Sequence, residues 1–477
     1  MSPVRLVPAA VLAAILASLV QALLSPPLHT GDETAHLDYA YQVWTGHLPV
    51  FEDGLVLAPE AGSVPPVQWA AQHPPLYYLV LAPVVGPFVE GGHVIAAVYA
   101  ARGLNVLGAG LLVLVAAWAA RRAFPASPLV APVTALVVGT TAWVARVGGS
   151  GYNDIFAALL TTWLLGLAAG AVRSGLTWPR AAGLIVVSAL CLGSRLHTMV
   201  MVGVLVAAVL AGVVLRTAGL RSVRGDSVRG DSVRGEVVRG EVVRAAVVAL
   251  GVPAAVAATS GWFYLRNVAL TGSVTGGHPD WAAQNLDRVA RPVTDVLADA
   301  GVWTRLLAVF GHDRLPDAAV VLLLLVAPAA LAAVAGLRTV RNARLPATER
   351  ADVLILVTGA TAVAATLAMQ LVYTAGGGSP HPRYLLPVIG ILAMLVAQGL
   401  VSTRRLLPWV AGLWCAVPLV DQAIWIAVSA PRYAGPWPDG PLSVAGAWAA
   451  WGAACVAVAV AVGYLAAERW RTPALPT

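Results

Sequence analysis

The chain has 477 residues, of which 59% are hydrophobic and only 11% are charged, and its formal net charge is +7. A soluble protein has roughly 25% charged residues, so this composition excludes a soluble globular surface. The many apolar runs of about 20 residues have the length that crosses a bilayer. Bilayer hydrocarbon forces such runs to be helical, because each backbone polar group must be paired within its own segment.

The predicted fold is all-α: a polytopic transmembrane helix bundle of about 12 spans, with surface helices in the first outer loop. The run at 75–89 is placed on the outer surface, since a span there would reverse every later loop and put most arginines outside. The predicted spans are 4–25, 97–119, 128–148, 153–171, 181–195, 198–215, 245–265, 317–337, 352–373, 384–402, 407–428 and 444–467.

The arginines decide the orientation of the spans. With the N-terminus inside, most of them fall in the inner loops, as the excess of positive charge on the cytoplasmic side predicts. These are Arg121, Arg122, Arg173, Arg180, the stretches 216–244 and 338–350, Arg404, Arg405, Arg469 and Arg471. The sequence therefore predicts a multi-pass protein of the cell membrane with both termini in the cytoplasm. All nine histidines then lie in outer loops or at outer helix ends, which favours an extracytoplasmic working surface.

Three regions follow from this topology. An N-terminal membrane half, 1–220, contains a long first outer loop at about 25–95. A cytoplasmic low-complexity linker, 221–244, repeats the unit Ser-Val-Arg-Gly-Asp, and its alternating charges predict disorder. A C-terminal half, 245–477, contains a second outer loop at about 266–316. The Arg-Gly-Asp triplets of the linker face the cytoplasm, so a cell-adhesion role is rejected in favour of a slipped repeat.

The most informative segment, 30–41, follows the first span and reads Thr-Gly-Asp-Glu-Thr-Ala-His-Leu-Asp-Tyr-Ala-Tyr. Apolar residues at helical spacing predict an amphipathic surface helix that Asp32 and Glu33 open. His36 lies one turn further on, so the three polar groups can converge. The spacing of Thr30 and Glu33 is also that of a capping box, and a purely structural role is the alternative. An acid pair at the membrane surface could instead supply a general base or bind a divalent cation.

A second polar segment, 72–79, reads Gln-His-Pro-Pro-Leu-Tyr-Tyr-Leu. Proline at the first positions of a helix fits its missing N–H, and the two tyrosines suit a membrane interface. We therefore predict a second surface helix with His73 at its mouth, either as a structural histidine or as a site residue.

Further motifs follow at the outer ends of later helices. They are Ala-Arg-Gly-Leu-Asn at 101–105, Tyr-Asn-Asp at 152–154, Trp-Phe-Tyr-Leu-Arg-Asn at 262–267 and Pro-Arg-Tyr-Leu-Leu-Pro at 382–387. Together with the acidic pair and the 72–79 helix, this order of features resembles the GT-C superfamily of membrane glycosyltransferases. Protein O-mannosyltransferases, lipid A aminoarabinose transferases and actinobacterial arabinosyltransferases belong to it. The resemblance covers most of the chain, although each motif alone is weak.

The resemblance implies a sugar donor carried on a polyprenyl phosphate and inversion at the anomeric carbon. An acid of the first outer loop acts in such enzymes as the base on the acceptor hydroxyl. We assign that role to Asp32, with Glu33 as second choice. Some members also hold a divalent metal near the carrier phosphate, for which Glu33 and His73 are the candidates. Other members have Lys before the Pro-Pro pair, where this chain has His73, so contact of this residue with phosphate stays open.

The chemistry of such a donor points to arginines at outer helix ends. The leaving phosphate lies at the interface, where it needs cationic or hydrogen-bonding groups. Arginine binds phosphate oxygens in pairs, although an arginine at a helix end can also merely extend to the interface. Arg383, between His381 and Tyr384, is the first choice. The candidates for contact with substrate or phosphate are His36, His73, Arg102, Asn153, Asp154, Arg195, Arg266, His381, Arg383 and Tyr384.

The expected function is a glycosyltransferase, a hexosyl- or pentosyltransferase, that moves a sugar from a polyprenyl-phosphate carrier to an extracytoplasmic acceptor. The acceptor would be a cell-envelope component, a protein or a lipid, and no nucleic-acid partner is expected. The alternative is a transporter or a flippase of a lipid-linked saccharide, which about six spans on each side of the linker would suit. A structural subunit or sensor is a third reading, and it needs no acid at Asp32. The sequence identifies neither the sugar nor the acceptor.

Overall fold

The computed structural model describes residues 6–57, 59, 62–222, 228–341, 347–433 and 440–469, and these contain helices and no β-strand. The predicted all-α class is therefore confirmed. The helices of the N-terminal half are α1 Leu6–Leu24, α2 Gly31–Trp44, α3 Leu76–Glu90, α4 Val94–Ala123, α5 Val130–Gly139, α6 Ala142–Gly148, α7 Asp154–Ser174, α8 Trp178–Ser194 and α9 Met199–Ser222.

The described part of the C-terminal half also consists of helices. Its helices are α10 Val228–Val256, α11 Trp262–Thr271, α12 Pro279–Leu286, α13 Val293–Ala298, α14 Ala300–Leu307, α15 Asp317–Val321, α16 Ala327–Arg341, α17 Ala347–Ala375, α18 Ile389–Ser402, α19 Leu407–Tyr433 and α20 Gly440–Arg469. Short 3₁₀ segments cover Trp69–Gln72, Leu196–Thr198, Pro382–Val388 and Arg404–Leu406, and π turns cover Ala257–Gly261 and Leu322–Val326.

Within the described residues, 10 helices are long and apolar enough to cross a membrane, or up to 11 if α5 and α6 form one span. These two helices are bent by 56° at Thr140 and Thr141, whose hydroxyls donate to carbonyls of the preceding turn. About 12 spans were predicted. The difference lies at α8, which is apolar but only 17 residues long. Helix α3, at the run 75–89, has 15 residues and also falls short of the span length.

Helix α1 packs against α4, α5, α6 and α20. Buried alanines let its neighbours approach closely, and Ala10, Ala13 and Ala14 are almost completely inaccessible. The approach of α5 is closest at Gly139, where a Cβ atom would lie only 2.5 Å from the carbonyl oxygen of Ala10. Any larger residue at position 139 would therefore force α1 and α5 apart.

The helix ends that carry the candidate residues meet on one side of the bundle. Arg102 of α4 donates from Nη1 to the carbonyls of Ala22 and Ser25 at the end of α1, at 2.8 and 2.7 Å. Asn105 of α4 donates to the carbonyl of Tyr152, just before α7, at 2.8 Å. The end of α1, the outer part of α4 and the start of α7 therefore form one wall of the site.

The first outer loop covers this wall. Helices α2 and α3 pack on each other, and the rings of Tyr39 and Tyr78 stack at 3.6 Å. Asp38 of α2 is completely buried and accepts hydrogen bonds from Leu57 N at 2.7 Å and Gln68 Nε2 at 2.5 Å. These contacts draw the following loop over α2. The predicted helix is present, but it is buried on most sides and not only along one face.

The disorder predicted for the linker is wrong for its second part. Residues 223–227 lie outside the described residues, but α10 begins at Val228, so residues 228–244 are helical. Glu241 is buried in α10 and accepts from Arg216 Nε of α9 at 3.2 Å, and Val238 is buried near it. This tertiary contact stabilises a helix that the repeat composition does not reveal. The division of the chain into three regions stays a prediction.

Candidate active site

Glu33 and Arg102 form a buried ion pair that fixes the start of α2. Both carboxylate oxygens of Glu33 are bonded to Arg102, Oε1 to Nε at 2.8 Å and Oε2 to Nη2 at 2.7 Å. The backbone N–H groups of Leu28 and Gly151 also donate to this carboxylate, each at 3.1 Å. Glu33 is 4% exposed and Arg102 is 2% exposed. All strong acceptor positions of Glu33 are thus used within the protein.

Asp32, the other member of the acid pair, points to a different partner. Its Oδ2 lies 2.8 Å from Nη2 of Arg383, in the 3₁₀ turn that precedes α18. The side chain of Asp32 is 34% exposed and that of Arg383 is 17% exposed. Unlike Glu33, Asp32 therefore remains accessible to a molecule that enters from outside.

The charges around Asp32 keep it ionised. Burial alone would raise the pKa of Asp32, but the nearby Arg383, with smaller contributions from His36 and Arg195, holds it below its usual value of 3.8. The helix position adds to this effect, because Asp32 lies in the first turn of α2, where the backbone N–H groups favour negative charge. Thr30 caps the same turn and accepts from Glu33 N at 3.2 Å. This bond is one half of the predicted capping box, whereas the Glu33 carboxylate itself accepts from Leu28 N, Gly151 N and Arg102.

A third ion pair joins Arg195 to Asp154. Arg195 is the residue that follows α8, and its Nη1 bonds to Oδ1 of Asn153 at 2.9 Å and to Asp154 at the start of α7. The other carboxylate oxygen of Asp154 is buried and has no hydrogen-bond partner among the described residues, and the same holds for Nε of Arg383. Buried polar atoms are normally bonded, so these two atoms could bind a polar ligand.

Two histidines line the cluster between the ion pairs. His36 bonds through Nδ1 to the hydroxyl of Tyr78 at 2.7 Å, and its ring is parallel to that of His73 at 5.8 Å. Burial lowers the pKa of His36 to about 4, against an opposing effect of Asp32 and Asp154. Burial also holds the pKa of His73 well below 6.5. Both rings are therefore neutral at physiological pH and can donate or accept hydrogen bonds without adding charge.

Aromatic rings pack against the segment around Arg383. The guanidinium of Arg383 lies 5.5 Å from the ring centre of Tyr152 and 5.4 Å from that of Tyr384. His381 meets the ring of Trp143 edge-on at 4.5 Å. Burial, with the nearby charge of Arg383, lowers the pKa of His381 to about 3. These ring contacts restrict the direction in which the guanidinium can point.

The structure brings most of the predicted site residues together and separates three of them. The cluster around the Asp32–Arg383 and Asp154–Arg195 ion pairs contains Asp32, His36, His73, Asn153, Asp154, Arg195, His381, Arg383 and Tyr384. Glu33 and Arg102 lie behind it as the enclosed pair. Arg266 points elsewhere: its Nη2 donates to the carbonyl of Pro49 at 2.7 Å, and its guanidinium lies over Phe263.

Sequence reasoning missed two residues of the cluster. The hydroxyl of Tyr152 bonds to Oγ1 of Thr30 at 2.6 Å, and its ring lies 5.6 Å from that of His36. Its place directly before Asn153 and Asp154 was the available signal. Trp143 carried no such signal, because it lies within an apolar run that predicts only a span.

The predicted metal ligands Glu33 and His73 do not fit a cation site in this arrangement. Glu33 already accepts from four donors, two on Arg102 and two on the backbone. In the part of the chain that the structure describes, no group of three or more His, Cys, Asp or Glu residues could hold a metal ion. Metal dependence therefore stays a prediction.

No protein-family model matches the chain, and neither does any curated protein sequence. ArnT from Cupriavidus metallidurans bound to undecaprenyl phosphate is similar in structure, with a TM-score of 0.43 and 15% identity, over 96% of this chain and 76% of ArnT. The Archaeoglobus fulgidus oligosaccharyltransferase in complex with Zn and sulfate is similar over 92% of this chain, with a TM-score of 0.42 and 13% identity. This chain spans about half of that protein, 53% of its length.

Both proteins are membrane glycosyltransferases of the GT-C superfamily, which the sequence motifs resemble. At these identities and TM-scores the likeness carries no argument about activity. The functional proposal therefore rests on the contacts within the site.

Proposed function

We propose that this protein is a membrane glycosyltransferase that moves a sugar from a polyprenyl-phosphate carrier to an acceptor on the extracytoplasmic side, with inversion. The observation that carries the proposal is that two neighbouring acids differ in their partners and in their exposure to solvent. Glu33 is enclosed by Arg102, whereas Asp32 is a third exposed and faces Arg383. A reactive carboxylate beside two arginines, where membrane helices end, suits a reaction at a lipid-linked phosphate.

The arginines would bind the phosphate of the donor. A prenyl-phosphate donor keeps its tail in lipid, so its phosphate lies where the helices end. Arg383 lies 2.8 Å from Asp32, and the charge of Arg195 also contributes to lowering the pKa of Asp32. As the bond from the anomeric carbon to the phosphate oxygen breaks, negative charge grows on the phosphate, and a guanidinium placed there in advance stabilises it. Nε of Arg383, which has no partner in the described part of the chain, is available for such a contact.

Asp32 would take the proton from the acceptor. A phosphate that binds Arg383 competes with Asp32 for the same guanidinium, which frees the carboxylate and makes it more basic. The acceptor oxygen then forms a bond to the anomeric carbon on the face opposite the phosphate, and its proton passes to Asp32. The phosphate leaves with the electron pair of the broken bond. One displacement of this kind inverts the anomeric configuration.

The test compares three forms of the full-length protein in lipid nanodiscs: the parent, Asp32→Asn and Asp53→Asn. Asp53 is an exposed carboxylate of the same outer loop, so its variant controls for the loss of one charge. Each form receives a panel of radiolabelled polyprenyl-phosphate sugars and a membrane extract of the host as acceptor. A general base contributes roughly 100-fold or more to a rate, so we expect a loss of this size in Asp32→Asn and none in Asp53→Asn.

Other results would change the proposal in defined ways. If Asp32→Asn transfers sugar at the parent rate, Asp32 is not the base and the role belongs to another residue. If no carrier is consumed by the parent, and one is instead moved across the bilayer, the enzyme proposal is wrong and the flippase is favoured. The sugar that the parent protein consumes would also identify the donor.

A further inference from the structure

A second cluster of arginines lies at the helix ends opposite to Asp32. Helix α4 ends at Ala123, α7 ends at Ser174 and α8 begins at Trp178. The arginines at these ends and at the end of α9, called here the arginine cluster, are Arg122, Arg173, Arg180 and Arg216. All four side chains are half-buried, so they are packed into the protein but still accessible from outside.

Three of these guanidinium groups surround the last turns of α7. A Cβ atom on Gly170 would lie 2.9 Å from Nη1 of Arg122 and 3.6 Å from Nε of Arg180, so these two groups flank the same position. Arg180 donates from Nη1 to the carbonyl of Gly175 at 2.5 Å. Arg216 donates from Nη1 to the carbonyl of Val172 at 2.6 Å. The three side chains converge on one patch of backbone that is less than two helical turns long.

The positive charge of the arginine cluster is only partly balanced. Glu241 pairs with Arg216 at 3.2 Å, and Asp352 pairs with Arg173. In the described residues, no carboxylate lies within 4.0 Å of Arg122 or Arg180. Carbonyl groups at a helix end carry only a partial negative charge, so they compensate part of each cation. Among the described side chains, Arg122 and Arg180 therefore have no carboxylate counter-ion.

The cluster also leaves hydrogen-bonding capacity unused. Nη2 of Arg216 is buried and has no partner among the residues that the structure describes. The guanidinium of Arg122 lies over the ring of Trp118 at 5.0 Å. A buried N–H without a partner is costly, so an anion with several oxygen atoms would stabilise this arrangement.

The position of the cluster indicates where such an anion would come from. Trp178, at the first position of α8, is 54% exposed, and tryptophan is enriched where a membrane meets water. Basic pockets between helix ends at this depth bind the headgroups of anionic lipids. We propose that Arg122, Arg180 and Arg216 bind the phosphate group of an anionic phospholipid. This site is separate from the one at Asp32 and does not depend on the reaction proposed there.

The test measures retention of lipid by the full-length protein, which is purified in detergent and analysed by native mass spectrometry. The probes are phosphatidylglycerol, phosphatidylcholine and inorganic phosphate. We expect the parent protein to retain phosphatidylglycerol in preference to phosphatidylcholine. Each arginine near a lipid surface contributes about 1 kcal/mol, so the double variant R122Q/R180Q should bind phosphatidylglycerol roughly 30-fold more weakly.

Two further variants separate the loss of this binding site from a general loss of positive charge and from misfolding. The control R404Q/R405Q removes the same charge from an exposed turn on the same side of the bundle and should change affinity less than about twofold. The variant R122K/R180K keeps the charge but loses the planar fork, and it should show an intermediate loss if R122Q/R180Q does not fold. Equal retention in the parent and both cluster variants overturns the proposal. Inorganic phosphate that stabilises the protein as much as phosphatidylglycerol, without lipid retention, overturns the assignment to a lipid.

Discussion

Exchange of Glu33 for Gln tests whether this acid is structural. Its carboxylate accepts from Arg102 at 2.8 and 2.7 Å and from two backbone N–H groups at 3.1 Å. Glutamine has nearly the same shape, but it is neutral and one of its oxygens is replaced by an NH2 donor. Whichever way the amide turns, its NH2 group then faces two donors, one on Arg102 and one backbone N–H. Arg102 also loses its counter-charge.

The expected loss of stability in Glu33→Gln follows from the burial of the Glu33–Arg102 pair. Arg102 is 2% exposed, so solvent does not replace the lost carboxylate. Removal of one partner of a buried ion pair costs about 3–5 kcal/mol of stability. Arg102 keeps its bonds to the carbonyls of Ala22, Ser25 and Pro26, so we expect a loss near 3 kcal/mol, the lower end of that range. Asp32→Asn should cost no more than about 1 kcal/mol, because Asp32 is a third exposed.

The assay is equilibrium unfolding of both variants in mixed micelles, with sugar transfer measured on the same samples. We expect Glu33→Gln to lower the free energy of unfolding and Asp32→Asn to lower turnover. A double exchange, Glu33→Met with Arg102→Met, should recover part of the stability, since an apolar pair needs no counter-charge. Glu33→Gln that is as stable as the parent, but inactive, would refute the structural role and make Glu33 the base.

Two more predictions concern the groups around Asp32. Arg383→Lys keeps the positive charge but loses the planar fork, so the KM for the lipid-linked donor should rise about tenfold, measured by initial rates at saturating acceptor. An unchanged KM would exclude contact of Arg383 with the donor. Burial lowers the pKa of His36 from 6.5 to about 4. Between these two pH values the unfolded chain binds a proton that the folded protein does not bind. The free energy of unfolding therefore decreases as the pH falls from 6.5 to about 4. His36→Gln should lose less stability than the parent over this window in unfolding experiments at several pH values, and equal losses would contradict the prediction.

Much of the site could be predicted because its motifs lie at helix ends. The cap at Thr30, the helix that Asp32 opens and the polar turn at Arg383 each have a local signal in the sequence. Positive charge then fixes which ends share a side. The partner of each acid could not be predicted in this way. It depends on the rotation of α2 about its axis and on the depth of Arg102 within α4, which only packing determines.

The errors in the fold have a similar origin. The run at 128–148 is apolar apart from Arg146 and three threonines, and its average hydropathy gives no sign of the bend between α5 and α6 at Thr140. The repeat after α9 has the composition of a disordered linker, yet its second part is helical where Glu241 meets Arg216. In both places a few hydrogen bonds decide the outcome, and an average over a window of residues does not detect them.

The two acids of α2 have different surroundings because they are neighbours on a helix. Consecutive side chains point roughly 100° apart around the axis, so Glu33 faces the wall formed by α1 and α4 when Asp32 faces Arg383. The enclosed pair anchors α2, and this anchor sets the direction of the accessible acid. Asp32 belongs to the N-terminal half of the chain and Arg383 to the C-terminal half. The accessible ion pair therefore forms only in the assembled bundle.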